Sequence, residues 1–270
     1  MDITAMTIKI MPFTLLSFTL CLTGCDFLSS TISESWHSYK NDANPFFPPQ
    51  ENKWITVEGI VPPNTQPSLK GDYISVKCLS SHYTAGGMRY HESKHYWNKF
   101  NILVNPKTGY FKERIPFDGG GWCQWKINAI SLALRYVNVN HLIKDAIPYD
   151  GTGIYVDINN AEKIQYSMKK ALDIIEYRPT IYPFLRKHHA NPDKIGLYGE
   201  KGGMTPFWLR LTERNEWKII YNPILDETKM PKIIIPGGNK PSRVEYPDGK
   251  VDLNSDSIDY WKINNTPQWK

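Results

Sequence analysis

Beyond its N-terminal region the chain has no stretch of 18 consecutive apolar residues, so no later segment reads as a membrane-spanning helix. Charge of one sign is also scarce. Lys and Arg number 32 against 27 Asp and Glu, a formal charge of +5, with no dense basic stripe. That excludes a nucleic-acid signature and leaves weak steering towards anionic lipid headgroups or an acidic protein surface. The glycine clusters Gly119-Gly120-Gly121 and Gly202-Gly203 match neither a P-loop nor a dinucleotide fingerprint. They read as turns that need positive φ. No G-x-S-x-G elbow occurs, and acidic pairs such as Asp226-Glu227 sit in polar, turn-like surroundings that do not suit glycoside hydrolysis. No cofactor is expected, and no enzyme activity.

What is present begins at the N-terminus. One positive charge, Lys9, precedes an apolar run of about a dozen residues within Met11 to Asp26, MPFTLLSFTLCLTGCD. That length is too short to span a bilayer and suits the h-region of a secretory signal. The run ends in Leu22-Thr23-Gly24-Cys25, with a slim residue where a peptidase cuts and a thiol ready to accept lipid. This segment resembles the lipobox of bacterial lipoproteins. The resemblance implies cleavage between Gly24 and Cys25, diacylation of Cys25, and attachment to a bilayer facing the periplasm. Acyl chains contribute about 0.8 kcal/mol per buried methylene, so two or more hold stably. Asp26 resembles the inner-membrane retention signal of enteric lipoproteins. Removing residues 1–24 takes away Asp2 and Lys9, so the mature chain keeps its charge of +5.

Cysteine is scarce too, at four residues. Cys21 leaves with the signal and Cys25 carries lipid. Cys78 and Cys123 then remain as a pair in an oxidising compartment, which reads as a disulfide. It closes a loop of roughly 45 residues, worth on the order of 4 kcal/mol in the chain-entropy model.

Residues 25–53 are polar, Ser- and Asn-rich, and carry Pro45-Phe46-Phe47-Pro48-Pro49. They read as a lipidated N-terminus and flexible tether holding the first domain roughly 30 Å from the bilayer. From Trp54 the pattern is strands: Trp54 to Val61, Tyr73 to Leu79, then Phe100 to Asn105 and Tyr110 to Phe117 joined by Pro106-Lys107-Thr108-Gly109. Between Trp122 and Val137 the apolar positions are Cys123, Trp125, Ile127 and Ala129, then Ile130, Leu132, Leu134 and Tyr136, two alternating sets. Gly153 to Ile158 is read as closing the sheet. This pattern predicts a mainly β protein with a β-sandwich over 54–160. The cysteine spacing with Trp97 between resembles immunoglobulin-like sandwiches, and Thr108-Gly109-Tyr110-Phe111 resembles transthyretin-like ones. Ile164, Met168, Leu172 and Ile175 then follow helical period from Asn159 to Tyr177. A second β-rich, α+β module is expected over 161–270, with strands at 207–211, 217–221 and 233–235 and a hairpin around Tyr246-Pro247-Asp248-Gly249.

His91-Glu92-Ser93-Lys94-His95 spells H-E-x-x-H. On a helix the two imidazoles would bind zinc and Glu92 would polarise a water. Lys94 places a charge inside the motif, strands flank it, and no third ligand is evident, so the expectation is a solvated loop or short helical turn and no metal site. His188-His189 beside Arg186-Lys187 reads as a solvated basic loop. Trp122, Trp125, Trp208, Trp217, Trp261 and Trp269 are expected in the core. Tyr90, Tyr96, Trp97, Tyr177 and Tyr182 lie in or near irregular stretches, and Tyr, Trp and Arg are the types enriched at binding hot spots.

Anchor, tether, disulfide and β modules describe a binding protein. In that anatomy the chain resembles periplasmic immunity lipoproteins that accompany type VI secretion phospholipase effectors. The resemblance implies steric neutralisation of a secreted lipase, with Ser80 to Asn98 plugging its cleft and Tyr90, His91, Tyr96 and Trp97 in contact. An adhesion or envelope-assembly lipoprotein is the first alternative. A zinc hydrolase using His91, Glu92 and His95 is the second.

Overall fold

The computed structural model describes residues 45–158, 172–200, 202–210 and 216–264, with eight further positions between 32 and 42. The lipobox, Gly24 and Cys25 lie outside the described residues. Where described, 32–42 have helical backbone. No helix among the described residues is long and apolar enough to cross a membrane.

The chain is mainly β. In order the strands are β1 (Trp54–Ile60), β2 (Thr65–Tyr83), β3 (Arg89–Phe100), β4 (Tyr110–Pro116), β5 (Asp118–Gly120), β6 (Trp125–Tyr136), β7 (Ile147–Pro148) and β8 (Thr152–Asp157). They continue with β9 (Ile174–Tyr177), β10 (Thr180–His188), β11 (Lys194–Tyr198), β12 (Met204–Trp208) and β13 (Glu216–Tyr221). The last are β14 (Ile224–Leu225), β15 (Lys232–Ile235), β16 (Arg243–Glu245) and β17 (Val251–Leu253), before a short helix, α1 (Tyr260–Asn264).

Three mixed sheets form. The first runs β4-β1-β13-β9, the second β12-β8-β6-β2-β3 with β5 on β6, and the third β17-β16-β15-β10-β11-β7 with β14 on β10. Alternation decides which side each strand buries. Ile55 and Val57 on β1 face Ile115 on β4 and Trp217 and Ile219 on β13, and all five are buried. In the second sheet Leu69 of β2 opposes Leu132 of β6, which in turn opposes Ile154 of β8. In β6 the buried positions change parity between Ala129 and Ile130. The cause is a β-bulge: Asp72 pairs with Ala129 but Tyr73 with Ile127, leaving Asn128 as the extra residue. The two alternating sets in the sequence are thus one continuous core face.

Several expectations need correction. The boundary near 160 does not divide the sheets. β1 pairs in parallel with β13, β12 with β8, and one core runs from Ile55 to Tyr221. Within 54–160 the strands pair with one another antiparallel throughout, and the parallel neighbours β12 and β13 come from beyond residue 160. The end of the expected helix is strand: Ile174–Tyr177 is β9, parallel to β13, and Leu172 bridges Leu209. Residues 159–171 of that helix lie outside the described residues. Phe100 to Asn105 pairs with β4 only through the Val104–Phe111 bridge, because β4 spends its ladder on β1.

The expected tether is docked from residue 45 onwards. The Phe47 N–H donates to the Gly119 carbonyl (2.9 Å), and Asn52 exchanges two hydrogen bonds with the Asp118 backbone (2.7 and 3.0 Å). Phe46 meets the Tyr73 ring edge-on at 4.9 Å. Phe46, partly buried against the Tyr73 and Tyr96 rings, offsets part of the entropy of ordering this Pro-rich segment, while Phe47 stays exposed.

Candidate functional site

β2 is 19 residues long; Thr65 to Ile74 pairs with β6, and only Leu69 to Ile74 is paired on both sides. Beyond Ser75 it pairs with β3 alone, from Leu79–Ser93 to Tyr83–Arg89. Two-stranded ribbons are marginal in water, so the root must be fixed, and two devices do this. Val76, Lys77 and Cys78 bulge out of the ladder between Ser75 and Leu79. Ser75 Oγ accepts from the Cys78 N–H (2.8 Å) and the Lys77 N–H (3.1 Å) and donates to the Cys123 carbonyl (2.5 Å). The bulge aims Cys78 at Cys123, and the disulfide forms with Cα atoms 5.3 Å apart. Lys77 lies over the Trp122 ring at 3.7 Å.

At its end the ribbon turns through Thr84 to Met88, where Gly87 takes φ +78° and its N–H bonds the Thr84 carbonyl (2.9 Å). The ribbon is rich in exposed apolar side chains: Val76 is 83 % exposed, Met88 71 %, Tyr83 62 %, and Leu79 and Tyr90 nearly half. Alternation sorts them. Leu79 and Tyr83 share a face with His91, while His82 and Tyr90 lie on the other, their rings 5.6 Å apart, with Glu92 Oε1 2.9 Å from His82 Nε2.

The H-E-x-x-H segment is not a loop or helical turn but the middle of β3. At about 3.3 Å per residue, His91 and His95 stand roughly 13 Å apart along one face with Glu92 on the other. They cannot close on one ion. Each has its own partner: His91 Nδ1 meets Ser81 Oγ (3.0 Å) and His95 Nδ1 meets Asp72 Oδ1 (2.9 Å). Asp72 is 3 % exposed and also accepts from Asn128 Nδ2 (2.7 Å), which makes His95 part of a structural network.

The four proposed contact residues do not form one surface. Tyr96 turns inward and stacks on Trp125 at 5.3 Å, because it opposes Tyr73 on the core face. Trp97 is exposed on the face of His91, and Tyr90 on the opposite one. Tyr177 and Tyr182 pack into the cores. Trp125 and Trp217 are buried, Trp122, Trp208 and Trp261 partly so, and Trp269 lies outside the described residues. Val76, Tyr83 and Met88 were not singled out in the sequence. The signal was the alternation of Leu79, Ser81 and Tyr83 past the disulfide cysteine, which continues the strand to the turn.

Comparison with protein-family models, with curated proteins and with solved structures finds no match.

Proposed function

We propose that the chain is a membrane-anchored binding protein of the bacterial envelope that works by steric insertion of the β2–β3 ribbon into a partner's cleft. The observation that carries this reading is the ribbon itself, a pre-ordered support, rooted by a disulfide and a buried serine, that exposes Val76, Leu79, Tyr83, Met88 and Tyr90. A rigid support spends little entropy on binding, and large side chains at its tip are suited to anchor in a pocket. Within this class the lipoprotein resemblance favours a secreted phospholipase effector, whose active-site entrance is apolar because it admits acyl chains. Blocking such an entrance requires no catalysis.

The test is affinity capture with the tagged mature chain from envelope extracts, followed by phospholipase assays on what co-purifies. A lipase at near-equal stoichiometry, inhibited by the native chain and released by Tyr83→Asp with Met88→Asp, is the expected result. Recovery of envelope structural proteins alone replaces the immunity reading with adhesion or assembly. Capture of a lipase unaffected by the paired substitutions rejects the ribbon as the contact.

A further inference from the structure

The third sheet has two apolar faces. Ile181 and Leu185 of β10, with Ile195 and Leu197 of β11, belong to the main core. Tyr182 and Phe184, with Ile233 of β15 and Val244 of β16, form a second, C-terminal core. Arg186 continues the second face, since residues 182, 184 and 186 alternate with 181, 183 and 185. It opposes Lys194 on one side and Ile233 on the other. Like charges at directly opposed strand positions repel. Among the described residues neither cation has a carboxylate within ion-pair distance. Lys194 instead lies 5.0 Å over the Tyr149 ring, and Asp193 is taken by Lys187 at 3.7 Å.

Beside Arg186 is a cavity of about 410 Å³, walled by Tyr149, Phe184 and Tyr198. Phe184 meets Tyr149 and Tyr198 at 6.4 Å each, with ring planes near perpendicular, so the three rings turn faces and edges towards one space. The Tyr198 hydroxyl is fixed by donating to the Ile258 carbonyl (2.5 Å). A half-buried guanidinium without an acid, at the side of an aromatic cavity of ligand-binding size, is an anion site with an apolar body beside it. Asp150 and Asp256 also line the cavity, and both are exposed. Their charge opposes a polyanion and limits the ligand to a single negative group.

We propose that this cavity binds a small aromatic carboxylate, the carboxylate on Arg186 and the ring among Tyr149, Phe184 and Tyr198. The site is independent of the ribbon. It is tested by calorimetric titration of the full mature chain with 2-naphthoate, its neutral isostere 2-naphthamide, and 2-naphthylmethylamine. Naphthoate should bind saturably, at least about tenfold tighter than the amide, with affinity falling as salt rises, while the amine binds weakest. Arg186→Met should reduce naphthoate to the level of the amide, Arg186→Lys should retain part of the difference, and Asp256→Asn should tighten it. Absence of saturable binding, or equal affinity for naphthoate and naphthamide on the native chain, overturns the proposal whether or not the variants fold. Unchanged naphthoate affinity in a folded Arg186→Met protein does the same.

Discussion

At the scale of single residues, two buried tyrosines make opposite use of their hydroxyls. Tyr73 is fully buried and donates to the Pro116 carbonyl (2.8 Å), and burial pushes its phenol far above the usual range. Tyr221 is equally buried, yet its hydroxyl has no partner among the described residues. Removing one half of a buried pair costs about 1–3 kcal/mol, whereas removing an unsatisfied group is neutral or favourable. Chemical denaturation should therefore show Tyr73→Phe destabilised by about 1–2 kcal/mol and Tyr221→Phe unchanged or stabilised. Gly196 offers a steric counterpart: a Cβ there would lie 2.5 Å from the Phe184 ring. Gly196→Ala should cost about 1–3 kcal/mol by overpacking, read as a lowered midpoint. Charged residues contribute through pH. Lys218 lies 2.6 Å from Glu58 and holds its carboxyl below the ordinary 4.5, and Lys262 does the same for Asp252 below 3.8. A lowered folded value stabilises the native state above the ordinary value and is lost as pH falls through the folded one. Acid titrations of stability should thus steepen below pH 4.5, and Glu58→Gln should flatten the slope there.

At the scale of elements, the ribbon and its root set the main expectation. Replacing Cys78 and Cys123 together by Ser removes a cross-link with a sequence separation of 45, worth about 4 kcal/mol in the chain-entropy model. Thermal unfolding should fall accordingly. Hydrogen exchange at 79–93 should rise more than elsewhere, because past Ser75 this stretch of β2 has pairing on one side only. Much of this element level was legible in advance. The β-branched run at Trp54, the parity change around Ala129 and Ile130, the turn at Tyr246-Pro247-Asp248-Gly249 and the cysteine pairing all mark local features that survive folding. Phe100 to Asn105 and Leu172 to Tyr177 misled for one shared reason. Their local pattern suited a hairpin and a helix, but distant strands offered them, or their partners, a longer ladder. The ribbon was hidden because its exposed Val76, Tyr83 and Met88 lack the burial that makes strand alternation visible, and because His91 to His95 spell a helical motif.

At the scale of the whole molecule, the parallel pairs β1–β13 and β12–β8 tie the two halves of the chain together. A fragment ending at residue 160 lacks β13 beside β1 and the Trp217 and Ile219 that fill the same core layer. It should show no cooperative unfolding and no near-ultraviolet dichroism. The intact chain should unfold without a separate transition for residues 54–160, as read by calorimetry.

The Trp54–Glu216 pair also fixes an order of events in time. A ribosome adds about 5–20 residues per second, so the strand opening at Trp54 waits roughly 10–30 s for its neighbour to be made. Throughout that delay β1 has one unpaired edge beside Ile55 and Val57, and the nascent polypeptide is open to misassociation. On the exported reading proposed above, the same gap recurs as the chain emerges across the membrane. Chaperone demand should therefore concentrate there on the N-terminal third, more than for proteins whose neighbouring strands are consecutive.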